Sequence, residues 1–299
     1  MTRPTPDLPH PGAADRVVSL CETELPLARL LAVDRAALAL ITGVEGPSYR
    51  PLGAGMVISE SGESWGSLSS GCIERDVVIH ARAALADGQV RALRYGAGSP
   101  FRDLVLPCGG GLDILILPAP DRAALAQAQA QLQARQPAFL RLGPLMLDLQ
   151  PQLRVLAFGK GPELRLFSAL AAAAGYPVES FSPDAETLAG LEHGQVLAGK
   201  NWPDGLRADA RTAVTLFFHD HDWEPRLLQA ALESPALYVG AQGSLRAHQA
   251  RCTALAAQGV PPEATARLAT PFGLIPSVRD PRTLAASVLA QVLGAARLA

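Results

Sequence analysis

Two thiols sit in glycine-bounded turns: Cys72 in Ser69-Ser70-Gly71-Cys72-Ile73-Glu74 and Cys108 in Pro107-Cys108-Gly109-Gly110-Gly111. In such a turn the side chain can be exposed while backbone N–H groups point at a bound anion. Local positive potential then favours the thiolate, the form that reacts and that ligates soft metals. Cys72 directly precedes a helical apolar stripe, so the dipole and free N–H groups of a helix start act on it. Glu74 falls in the first turn, an ordinary place for a carboxylate. The plain alternative for Cys72 is a small buried residue plugging a turn. For Cys108, the glycines that follow let backbone approach a ligand closely, or simply make a tight turn into the next strand.

Three other groups of residues carry candidate chemistry. Gly46-Pro47-Ser48-Tyr49-Arg50-Pro51 is a rigid loop with one arginine, which either forks onto a phosphate or pairs with a surface carboxylate. Gly159-Lys160-Gly161 follows a strand and opens a helix, the layout of a dinucleotide phosphate turn. Leu164 stands where that fingerprint has its third glycine and is expected to hinder close helix–strand packing. Ser182 stands near the position of the ribose-binding acid. Both argue against NAD(P). His219-Asp220-His221-Asp222 lies between a strand and a helix, where it would hold a metal, shuttle protons, or serve as a helix start with Asp222 as N-cap and Pro225 in the first turn.

The elements that must position these groups follow from periodicity. Ala36–Val44 is an apolar strand, and Met56–Ser59 with Ser64–Leu68 reads as a hairpin around Ser61-Gly62. Ile73, Val77, Ala81 and Leu85 form one helical stripe, ended by Asp87-Gly88. Val90–Tyr95, Leu104–Leu106 and Leu112–Leu117 are strands. Asp121 caps a helix reaching Arg135, and Phe139–Leu142 with Leu145–Leu149 flanks Gly143-Pro144 as a second hairpin. Strands then alternate with helices: strands at 154–158, 178–181, 214–218 and 237–240, helices at 163–174, 224–232, 245–257 and 284–293. Such alternation implies a parallel sheet covered on both faces. The expected organisation is a lead-in over 1–15, disordered because of its prolines, a first domain over 16–150 and a Rossmann-like domain over 151–299.

The totals bound the function. A chain of 299 residues suggests about two domains, at ~100–200 residues each. The net charge of −2 gives no electrostatic case for nucleic acid. The four cysteines are scattered, without a CxxC pair, which fits a reducing compartment and argues against a zinc ribbon or a thioredoxin-like site. No apolar run is long enough to span a membrane, so a cytoplasmic protein is expected.

Together these residues resemble the xanthine dehydrogenase accessory family of XdhC/CoxI type. The Gly46–Pro51 loop with Gly53-Ala54-Gly55-Met56 looks like that family's Gly-Ser-x-Pro-Arg loop, with Tyr49 where proline is common. Gly66-Ser67-Leu68-Ser69-Ser70-Gly71-Cys72-Ile73-Glu74 looks like its cysteine motif, with Ser70 in place of a glycine. Arg94-Tyr95-Gly96 and Cys108-Gly109-Gly110 match later elements. Phe158-Gly159-Lys160-Gly161, Phe218-His219-Asp220-His221 and Tyr238–Ser244 resemble its Rossmann-like half. The resemblance implies an α/β protein of two domains: an XdhC/CoxI-type domain and a Rossmann-like parallel-sheet domain. It implies a non-catalytic chaperone that binds molybdenum cofactor (molybdopterin), supports its sulfuration by a cysteine desulfurase, and delivers it to an apo molybdenum hydroxylase of the xanthine dehydrogenase type, as a homodimer. Cys72 is then a candidate molybdenum ligand. Cys108, Arg50, Glu74, Gly71, Gly109, Gly110, Gly159, Gly161, His219 and His221 are candidate cofactor-binding residues. The rival readings are an NAD(P)-dependent oxidoreductase using the Gly159–Gly161 turn, and a binding module that docks a partner without cofactor chemistry.

Overall fold

A computed structural model describes residues 16–97, 99 and 109–297. The expected lead-in over 1–15, the strand at Leu104–Leu106 and Cys108 itself lie outside the described residues. The chain divides into two compact units, one running through Pro151 and one spanning Gln152–Arg297.

The first unit contains β1 (Arg16–Cys21), α1 (Leu27–Ala32), β2 (Ala36–Glu45), β3 (Gly55–Ser59), β4 (Ser64–Gly66), α2 (Glu74–Asp87), β5 (Arg91–Gly96), β6 (Gly111–Leu117), α3 (Arg122–Gln133), β7 (Ala138–Leu142) and β8 (Leu145–Gln150). Five strands form an antiparallel sheet in the order β4-β3-β2-β6-β5. The other three form a small sheet in the order β1-β8-β7. β2 is apolar and buried from Ala36 to Ile41, where both its faces are covered. Ala37, Ala39 and Ile41 join Val77, Ala81 and Leu85 of α2 in one core. Leu38 and Leu40 join Leu125 and Leu132 of α3 and Leu140 and Leu147 of the small sheet in another. Asp121 accepts from the N–H groups of Ala123 and Ala124, the predicted cap. The helix it opens ends at Gln133, and Arg135 follows with a positive φ.

The second unit contains β9 (Arg154–Gly159), α4 (Pro162–Ala173), β10 (Val178–Ser182), α5 (Ala185–Leu188), β11 (Gly194–Val196), β12 (Thr212–Phe217), α6 (Glu224–Glu233), β13 (Tyr238–Ala241), α7 (Leu245–Ala257), α8 (Pro262–Thr265), β14 (Leu268–Ala269) and α9 (Pro281–Ala295). Its six strands are all parallel, in the order β11-β10-β9-β12-β13-β14. Numbered within the unit this is 3-2-1-4-5-6, the Rossmann order, with its switch point between β9 and β12.

Two expectations need correction. Leu164 does not hold α4 off the sheet: it is fully buried in the core with Val155, Phe167 and Phe217, filling the space a glycine would leave open. Asp222 is not the N-cap of α6, which starts from Trp223 without a side-chain cap. Asp220 instead accepts from Asp222 N at 3.1 Å and caps the short turn His221–Trp223.

The close approach of β9 to β12 is made at Gly159. A Cβ there would lie 2.6 Å from the carbonyl oxygen of Phe217. Gly159→Ala is expected to destabilise the second unit by about 1–3 kcal/mol through overpacking, read as a lower midpoint in urea unfolding of the whole chain. An unchanged midpoint would show that the two strands can part without cost.

Candidate functional site

Glu74, the first residue of α2, builds the turn that carries Cys72. Its Oε1 accepts from Ser69 N at 2.8 Å, Leu68 N at 3.3 Å and Ser67 Oγ at 3.1 Å. Its Oε2 accepts from Ser69 Oγ at 2.7 Å and Ile73 N at 3.2 Å. Partial burial pushes the Glu74 carboxyl up, but the bonds from Ser69, its neighbouring backbone and Ser67 together outweigh this and hold it below the usual range. The N–H groups of Leu68, Ser69 and Ile73 thus face this internal carboxylate. Cys72 N donates to Ser69 Oγ at 3.1 Å, and Gly71 has a φ of +97°, the left-handed geometry that suits glycine. Cys72 is half-buried, a free thiol whose Sγ lies 3.7 Å from Ser70 Oγ.

Strand register brings the other first-unit motifs to the same end of the five-stranded sheet. Gly66 pairs with Met56, Leu40 with Gly55, Glu45 with Gly111, and Gly96 with Gly111. The turn after β4, the loop from β2 to β3 and the connection from β5 to β6 all leave there. A Cβ on Gly110 would lie 2.4 Å from the carbonyl oxygen of Pro47, so the glycine run rests directly on the Arg50 loop. Leu52 of that loop and Cys72 pack against the same core. Gly109 sits at this end with a φ of +70°. Arg50 pairs with Glu24, Nη2 to Oε2 at 2.6 Å. Arg94 lies here too: it bonds Glu45, Asp113 Oδ2 at 3.1 Å and Ala97 O at 2.8 Å. Tyr95 is buried and donates to Asp76 Oδ2 at 2.6 Å, tying β5 to the first turn of α2. Burial first, then the Asp76 bond and charge, pushes its phenol far up.

In the second unit the dinucleotide turn is filled from within. Gly161 N donates to Thr187 Oγ1 at 3.0 Å, and Thr187 Oγ1 donates to Asp184 Oδ2 at 2.8 Å. That bond first, slightly offset by desolvation, then the Glu186 N–H and the Lys160 charge, holds the Asp184 carboxyl below its usual range. Ser182, at the end of β10, is fully buried and accepts from Asp184 N. Glu163, in the first turn of α4, has its Oε2 buried without a hydrogen-bond partner. Such a turn, with the Gly161 N–H taken and carboxylates beside it, does not fit a pyrophosphate.

His219 and His221 do not converge. His219 Nε2 lies 3.3 Å from Glu163 Oε1 over the switch point. His221 Nδ1 lies 3.1 Å from Glu224 Oε2 on the side of α6 and α7. Among the described residues no group of three or more His, Cys, Asp or Glu side chains is arranged to hold a metal ion. Sequence reasoning missed the partners of both. Glu224 forms a buried ion pair with Arg251, which sits 27 residues further on in α7. The signal was present in the spacing: Arg251 shares the buried face of α7 with Leu255, an unusual place for a charge that lacks a partner.

Comparison with known proteins agrees with this architecture. The family model for the XdhC and CoxI family matches residues 30–96, and that for the XdhC Rossmann domain matches residues 155–292. The chain is 33% identical over 277 residues to the molybdenum cofactor insertion chaperone PaoD of Escherichia coli (strain K12), covering 86% of this chain and 82% of that protein. It shares its fold with a crystal structure described as a xanthine dehydrogenase from Bacillus halodurans, at a TM-score of 0.73, 23% identity, and coverage of 92% of this chain and 96% of that one. With matches in both units and a relative at this identity over most of both chains, the chain belongs to the XdhC and CoxI family.

Proposed function

We propose that this protein is a maturation factor for a molybdenum hydroxylase of the xanthine dehydrogenase type. It binds molybdenum cofactor, shields it while a cysteine desulfurase supplies sulfur, and hands it to the apo-enzyme, without turnover of its own. The observation that carries the reading is the identity to a molybdenum cofactor insertion chaperone across most of both chains. The donor set fits such a cargo: Cys72 offers a soft thiol, and Glu74 fixes the turn that presents it. Arg50, Gly71, Gly109 and Gly110 belong to the same sheet end and would shape the walls, with Cys108 in the connection that leads to Gly109. The protein acts as a homodimer in the cytoplasm on this reading. No helix among the described residues is long and apolar enough to cross a membrane.

The test is molybdenum and pterin content after mixing purified protein with free molybdenum cofactor and gel filtration. Wild type is expected to retain molybdenum near stoichiometrically, and Cys72→Ala to fold but fall to background. Equal retention by the variant would remove Cys72 from the site, and no retention by wild type under conditions where the cofactor survives would sink the carrier function.

The oxidoreductase alternative draws on the Rossmann strand order alone. The occupied Gly161 N–H speaks against it, and a titration with NADH or NADPH is expected to show no binding at micromolar protein.

A further inference from the structure

Glu224 and Arg251 are the most deeply buried opposite charges among the described ion pairs, with side chains 1% and 5% exposed. Burying such a pair is costly unless every donor and acceptor around it is matched. Arg251 Nε donates to Glu224 Oε2 at 2.7 Å, and Nη1 lies 3.4 Å from Ala241 O. Nη2 has two hydrogens and three neighbours: Glu224 Oε1 at 2.8 Å, the carbonyl oxygen of Gln242, and His221 Nδ1 at 3.3 Å. The two oxygens are nearer and stronger acceptors, so they take both hydrogens. His221 Nδ1 is left facing Glu224 Oε2 at 3.1 Å. A lone pair there would oppose a carboxylate lone pair, whereas a proton closes the network. A neutral imidazole carries one N–H, so the lone pair then resides on Nε2. His221 is half exposed, and the buried carboxylate takes its Nδ1 edge, which turns Nε2 outward.

We propose that Glu224 and Arg251 are positioning residues that hold His221 as the Nδ1–H tautomer and present its Nε2 lone pair as a hydrogen-bond acceptor at the carboxyl edge of the Rossmann sheet. A ligand at this edge must bring the N–H or O–H group itself. A phosphate, which brings acceptors, is mismatched. His219 follows the same logic: Glu163, 13% exposed, accepts from its Nε2 and leaves Nδ1 as the acceptor. Both imidazoles are backed by a glutamate from the first turn of a helix, and both reach a sheet edge where ligands of open α/β sheets bind. The inference concerns the free protein and stands apart from the molybdenum reading.

The test is long-range 1H–15N correlation spectroscopy of the full chain with 15N-labelled histidine, at about pH 8, where an ordinary histidine is neutral. The His221 pattern is identified by its loss in His221→Asn. The expected result is a protonated-type shift at Nδ1 and an unprotonated-type shift at Nε2. An Nε2–H pattern, or one averaged between tautomers, overturns the proposal on wild type alone. In Glu224→Gln the side-chain amide can donate to Nδ1, and the tautomer is expected to move to Nε2–H. An Nδ1–H pattern unchanged in the folded variant overturns the role of Glu224. If that variant fails to fold, the double variant Glu224→Gln/Arg251→Met removes both charges and carries the same expectation. Inorganic pyrophosphate added to wild type is expected to leave both shifts in place, and conversion to the doubly protonated pattern overturns the acceptor role.

Discussion

A Glu74→Ala variant is expected to lose molybdenum as fully as Cys72→Ala, although Glu74 is proposed to supply no ligand atom. Five hydrogen bonds from Ser67, Leu68, Ser69 and Ile73 converge on its two oxygens. Removing the carboxylate leaves those N–H groups to water and frees the segment that holds Cys72 in place. Bonds to a charged acceptor are worth more than neutral ones, but this group is partly exposed, so a loss of about 2 kcal/mol for the first unit is the expected scale. Glu74→Gln keeps part of the acceptor capacity and should fall between. Two measurements on the same samples separate the roles: molybdenum retention, and amide hydrogen exchange over residues 67–73. Lost metal with fast exchange supports an organiser. Lost metal with protection unchanged would make Glu74 a direct contact instead, and retained metal with fast exchange would show that the turn's order is not needed.

The same carboxylate sets a pH dependence. Its folded-state pKa is depressed, so its contribution is fully present above the unfolded value and is lost as pH falls through the folded one. The Cys72 turn should therefore be indifferent to pH near neutrality and loosen only in acid, below about pH 4.5. Exchange over residues 67–73 that quickens between pH 8 and 6 would contradict this sign.

What the sequence made legible was local. β2 is a long apolar run, the stripe from Ile73 to Leu85 has helical spacing, and Asp121 precedes a helix it visibly caps. The strand–helix alternation after residue 151 was enough to announce a parallel sheet, while its strand order and switch point came only with the fold. The missed elements lacked such signals. β1 has little buried surface and owes its place to a parallel partner, β8, more than a hundred residues away. β11 is a short, exposed edge strand. Leu164 was misread because a fingerprint glycine was treated as a packing requirement, when a leucine pointing into the core serves the same helix. The decisive facts about the site were also non-local. Thr187 takes the Gly161 N–H from 26 residues away, and Arg50 meets Glu24 across the same distance. Residue types predict what a group can do; only the fold shows which partner reaches it first.

Arg251→Met is expected to give the largest loss of stability in the second unit. It leaves Glu224, 1% exposed, without its opposite charge, and strips donors from the carbonyl oxygens of Ala241 and Gln242. Breaking one side of a buried pair typically costs about 3–5 kcal/mol, whereas replacing both sides with apolar residues is often close to neutral. The double variant Arg251→Met/Glu224→Leu should therefore recover much of what the single one loses, short of the two unmatched carbonyls and the released His221. Urea unfolding of the full chain reads this directly. Trp202 and Trp223 lie in the second unit and pack against its core, so their fluorescence follows that unit; Trp65 lies in the first. If the double variant is instead as unstable as the single one, the pair is held for the carbonyls it satisfies at the end of β13, and the geometry of the loop from Ala241 to Ser244 becomes the quantity the buried charges protect.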